Sequence, residues 1–155
     1  MAFVTSFYIY MSAKAKALRA AVKRRFHPWI VARGFEKDKS QSPYFTTFRR
    51  TRADNVDLFD IQWDKYWRPH FVINFGQGLA GQTDIAIVGR LQRRRGWPLH
   101  TWFGLHRPWL NRIKTLQWSY TNADVLEELE AAFEELEAWW RDKTVGPHVN
   151  LWSAK

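Results

Sequence analysis

Two apolar runs in the middle of the chain set the architecture. In 56–65, Phe59, Ile61 and Trp63 fall on every second position, and in 70–75 Phe71, Ile73 and Phe75 do the same. A period of two is that of a half-buried strand, whose successive side chains point to opposite faces. A third run, 44–52, is rich in Thr and aromatic residues and precedes them. The breaks between the runs are too short for a parallel crossover, which takes about a dozen residues or more. The three runs are therefore predicted to pair as an antiparallel meander.

Helical spacing brackets this meander. Leu18, Val22, Phe26 and Trp29 form an apolar stripe through 12–33, where Pro28 should kink the helix or start a new one and Gly34 should end it, with Phe35 turning back to the core. Leu126, Leu129, Phe133, Leu136 and Trp140 alternate steps of three and four through 124–143, and Thr121 with Asp124 has the form of a capping box. Between them, 83–91 is ambiguous between strand and helix, while 100–105 and 113–120 read as further strands. The expected fold is α+β: an antiparallel meander of about five strands, packed by an N-terminal helix and a long C-terminal amphipathic helix. One domain spans 12–147, with an extension at 1–11 and a tail at 148–155. The apolar opening, 1–10, lacks the basic flank of a secretory signal, and Met11 is an alternative start.

Charge is distributed unevenly. Lys and Arg number 24 against 15 Asp and Glu, a formal charge of +9. Seven cations and no acid lie in 14–33, and seven more cations and no acid lie in 85–123. The final helix carries eight acids. A basic surface of this kind suits an acidic macromolecule, protein or nucleic acid. A homo-oligomer in which one copy's acidic helix meets its neighbour's basic helix is a further reading. No run approaches a transmembrane length, so no membrane partner is expected. There is no cysteine, which excludes disulfides, thiolate metal sites and cysteine nucleophiles, and fits a cytoplasmic protein.

Several places could hold chemistry. Gly76, Gly78 and Gly81 spell the glycine pattern of a dinucleotide loop. The β-branched residues after it and the antiparallel setting point instead to a flexible turn. With Phe59, Ile61 and Trp63 inward, the same alternation turns Asp60, Gln62 and Asp64 outward, beside His70 and Asn74 of the next strand. Those groups suit a small molecule, a divalent metal or an acid–base pair, with Arg49 as a cross-strand neutraliser of Asp60 or Asp64. The alternative is an ordinary solvated sheet face. Arg93, Arg94, Arg95, Trp97, Trp102 and Arg107 interleave cations with indoles, as a single-stranded nucleic acid platform requires, although the same rings suit a core. No nucleophile elbow, zinc-helix or phosphate-loop motif occurs, and no cofactor is expected. A non-catalytic binding module is the leading expectation.

The steps Arg33-Gly34-Phe35, 44–50 (YFTTFRR), 61–65 (IQWDK) and 71–76 (FVINFG) resemble the small bacterial proteins grouped as domain of unknown function 4304. Gln62, Asn74 and Gly76 are the positions that match that family's polar signature. The resemblance covers roughly residues 15–140, and residues 90–112 depart from it by extra Arg and Trp. It implies an antiparallel sheet packed by helices, and no activity.

Overall fold

The computed structural model describes residues 11–39, 42–94, 101–107 and 109–152, side chains of 109–111 excepted. Helix α1, Ala13–Ala21, starts where the Ser12 hydroxyl accepts the Ala15 N–H at 3.1 Å. A π turn, Val22–Phe26, joins it to helix α2, His27–Val31, which carries Pro28 in its first turn. The helix expected over 12–33 is thus three consecutive pieces, the last of them the new start that Pro28 allows, for two reasons. Pro28 has no N–H for an intrahelical bond and is tolerated only at a helix start. Leu18, Val22, Phe26 and Ile30 also recur every four residues, which outruns an α-helix by about 40° per step. The wider π turn takes up that drift and keeps Val22, Phe26 and Ile30 on the core side, all fully buried. Gly34, at φ +88°, then reverses the chain, and Phe35 re-enters the core.

Seven strands follow: β1 (Glu36–Lys37), β2 (Phe45–Arg52), β3 (Asn55–Trp63), β4 (His70–Leu79), β5 (Gly89–Leu91), β6 (Phe103–Gly104) and β7 (Val149–Leu151). They form one antiparallel sheet in the order β1-β2-β3-β4-β5-β7, with β6 also on β4. The meander is as expected, with more strands than the expected five. The extra strands are β1 and β7, the latter from a stretch expected to be a tail. Two- and three-residue strands leave no periodicity to read. Phe48, Phe59 and Phe75 stand opposite one another across β2, β3 and β4, and carry the core's central row.

Helix α4, Asn122–Asp142, lies across that row. Its capping box is formed as expected: Thr121 Oγ1 accepts from the Asp124 N–H and Asp124 from the Thr121 N–H. Phe133 meets Phe26, Phe35 and Phe59 edge to face, and the Trp140 indole N–H donates to the Gly76 carbonyl at 2.9 Å. Helix α3, Trp109–Thr115, overturns the strand expected over 113–120. Ile113 and Leu116 stand three apart and are exposed, so their spacing served no strand face. Ser119 retains one bridge, to His106.

The outer sheet face is divided. At one end Val56 and Leu58 are buried beneath Ile85 of the irregular segment 82–88. That segment runs so close to β4 that a Cβ on Gly76 would collide with the Ala86 carbonyl oxygen, and one on Gly78 with Gln82 and Ile85. The glycine pattern therefore exists for backbone packing, with Gly81 at φ +83° making the turn. The rest of this face carries the polar residues Asp60, Gln62, Asn74 and Arg90 beside two apolar ones opposite Gln62, the buried Val72 and the exposed Phe45.

Candidate functional site

The register of β3, β4 and β5 places Asp60 opposite Asn74, and Asn74 opposite Arg90. Directly opposed residues share a face, so the three form one polar row across the outer side, with Gln62 two positions along β3. The row is hydrogen-bonded throughout. Asn74 Nδ2 donates to Asp60 Oδ1 at 2.8 Å and to Gln62 Oε1 at 2.9 Å, while Asn74 Oδ1 accepts from Arg90 Nε at 2.9 Å. Arg90 also reaches Gln62 Oε1 at 3.3 Å. Asn74 is itself buried and uses its amide to order the two ionisable residues on either side.

Both of those residues are held against their solvation. Burial pushes the Asp60 carboxyl from 3.8 up to about 6, against the opposing pull of the Asn74 hydrogen bond and the Arg90 charge. Burial likewise lowers the pKa of Arg90. Its guanidinium lies 5.6 Å from the Trp102 ring and 6.0 Å from the Trp152 ring, flanked by two indoles. Asp60 Oδ2, Gln62 Nε2 and Arg90 Nη1 make no hydrogen bond to a described residue. No buried side-chain nitrogen or oxygen among the described residues lacks a partner, so these three atoms reach the surface.

No family model, no curated protein and no solved structure matches this chain.

Of the outward residues expected to converge, Asp60, Gln62 and Asn74 do so. Asp64, Arg49 and His70 do not. Asp64 lies past the end of β3, where its carboxylate accepts from the backbone of Tyr66 and Arg68 and pairs with the Arg68 guanidinium at 2.9 Å. Burial raises its pKa, and Arg68 more than reverses this, leaving it below the usual carboxylate range. It is a turn residue. Arg49 stands opposite Leu58 and pairs with Asp38 and the Thr83 carbonyl, so it neutralises neither Asp60 nor Asp64. His70 sits four residues along β4 from Asn74, its Nδ1 3.3 Å from Nδ1 of His106. Burial and the neighbouring imidazole lower its pKa from 6.5 to about 4. No group of three or more His, Asp or Glu that could hold a metal occurs among the described residues.

The described members of the expected Arg–Trp platform are dispersed. Arg93 binds Glu128, the carbonyls of Gly104 and His106, and the Tyr120 ring. Arg107 packs on Tyr120 and bonds Gln117 and the Ser119 carbonyl. Arg94 is exposed, Trp102 joins Arg90 instead, and Arg95 and Trp97 lie outside the described residues. The acidic helix also meets its own chain's basic helix, through Arg25–Glu130 at 2.9 Å and Arg33–Glu134 at 3.0 Å. Two of the seven cations of 14–33 thus find acidic partners within the chain. No helix among the described residues is long and apolar enough to cross a membrane.

Arg90 and Trp152 were missed by sequence reasoning. Each comes from or follows a three-residue strand, and only the pairing of β5 with β4 and β7 brings them to the row.

Proposed function

We propose that this protein is a non-catalytic binding domain whose small-molecule ligand sits on the outer sheet face over Asp60, Gln62, Asn74 and Arg90. One observation carries the reading: two oppositely charged side chains are desolvated beside each other, fixed by Asn74, and still present unsatisfied polar atoms to the surface. A surface evolved only for solubility would leave such groups hydrated, because their burial costs stability. The motifs shared with domain of unknown function 4304 support grouping the chain with that family, and a bacterial cytosolic setting belongs to the same proposal. A melting-temperature screen against soluble metabolites grouped by chemistry, divalent metals included, tests the site. A true ligand at one hundred times its Kd stabilises by about 2.7 kcal/mol. That shift is expected in the unmodified protein and absent in Arg90→Ala and Gln62→Ala. No hit in any class, or hits that survive both substitutions, would overturn the proposal.

A second reading has its own support. Lys14, Lys16, Lys23 and Arg24 are exposed along the outer side of α1 and the π turn, and none has an ion pair among the described residues. These four cations suit an acidic macromolecule. Titration with a single-stranded oligonucleotide and with an acidic protein should show affinity that falls steeply with salt and is lost when all four become Glu. Affinity indifferent to salt removes this reading.

A further inference from the structure

Resting on the binding face proposed above, we infer that its ligand is an uncharged sugar, held by its hydroxyls over the Asp60–Arg90 row and by its ring against the Trp152 indole. Three observations narrow the chemistry. Asp60 and Arg90 offset each other's charge, and among the described residues no third ionised side chain joins the hydrogen-bonded row. The described row therefore carries no net charge with which to select a phosphate, a carboxylate or an amine.

The surface atoms are of complementary type. Asp60 Oδ2 accepts, whereas Gln62 Nε2 and Arg90 Nη1 only donate. A hydroxyl both donates and accepts, so neighbouring hydroxyls on one ring satisfy both kinds at once. Asp60 and Arg90 stand two strands apart, about 10 Å along the sheet at ordinary strand spacing, with their side chains drawn together on Asn74. That span suits a hydroxyl-bearing ring better than a single small ion.

The indoles disfavour a heteroaromatic base sandwiched between two rings. A base stacked between Trp102 and Trp152 needs the space between the two rings, and the Arg90 guanidinium already lies against both. A sugar needs only one ring, against which the C–H groups of its apolar face pack. Trp152 is 48% exposed and has that surface to give.

The test follows tryptophan fluorescence and amide chemical shifts of the full chain during titration with neutral mono- and disaccharides. Parallel arms use a sugar phosphate, a uronic acid and a nucleoside. Saturable binding of at least one neutral sugar is expected, weakened at least roughly tenfold in Trp152→Ala and in Asp60→Asn. Trp152→Ala removes an exposed ring, and Asp60→Asn keeps the shape and the acceptor for Asn74, so both variants should fold. Preference for the charged sugars or the nucleoside, or neutral-sugar affinity unchanged in Trp152→Ala, overturns the sugar assignment while leaving the binding face intact. Silence in every arm and across the broader metabolite screen overturns both.

Discussion

Arg50→Met is expected to lower the unfolding free energy by about 3–5 kcal/mol, the range for stripping one partner from a buried ion pair. Asp57 on β3 is 0% exposed, and its Oδ2 accepts from Arg50 Nε at 3.1 Å and Nη2 at 2.8 Å. The same guanidinium donates to the Glu137 carboxylate of α4 at 3.0 and 2.7 Å and from Nη1 to the Arg33 carbonyl at 3.1 Å, and lies 4.2 Å from the Phe35 ring. Burial alone would lower the pKa of Arg50, and the two carboxylates together outweigh it. One side chain thereby ties the sheet, the end of α2 and α4 together. Met keeps the stem's apolar contacts and leaves Asp57 with Arg52 and Gln77. Urea denaturation measures the loss. Adding Asp57→Leu and Glu137→Leu to Arg50→Met should recover much of it, since a well-packed apolar replacement of a buried ion cluster is often tolerated. A loss under about 1 kcal/mol for the single variant would show that the network does not fasten the helix.

Asp60→Asn is expected to stabilise the protein at pH 7 while removing ligand binding. The folded state holds this carboxyl at about 6 against 3.8 ordinarily, so it binds its proton more tightly than the unfolded chain does. Below about pH 4 both states are protonated and the group has no effect. Between there and about 6 the unfolded chain ionises first and stability falls; above about 6 the full cost persists. At ~1.4 kcal/mol per pH unit the gain from Asn is about 1–3 kcal/mol at neutrality, vanishing in acid. His70 has the opposite sense. Its folded value of about 4, which burial gives His27 as well, lies below 6.5, so stability is lost as pH falls through that interval. The unmodified protein should therefore show partial cancellation between pH 4 and 6, and Asp60→Asn a plain decline on acidification. Melting curves across pH 3.5–8 distinguish the two profiles. An Asp60→Asn variant no more stable than the parent at pH 7 would show that the carboxyl carries no desolvation cost.

The long elements were legible because each repeats its own signal. Alternation over β3 and β4 identifies Phe59, Ile61, Trp63, Phe71, Ile73 and Phe75 as core, and all are buried. The same parity turns Asp60, Gln62 and Asn74 to the other side, and three members of the polar array follow from it. Parity says nothing about position along a strand. Asp64 lies one step past β3 and belongs to a turn, and His70 lies too far along β4 to share the row.

What the chain's own pattern settles is thus the period of each long segment and the face on which its apolar residues fall, because both depend on neighbours a few positions away. Tertiary pairing alone supplies Arg90 and Trp152, the closure of the outer face by 82–88, and the internal match of acidic and basic helices. Strands of two or three residues have no stability of their own; they exist only because a partner's hydrogen-bonding edge is there to receive them.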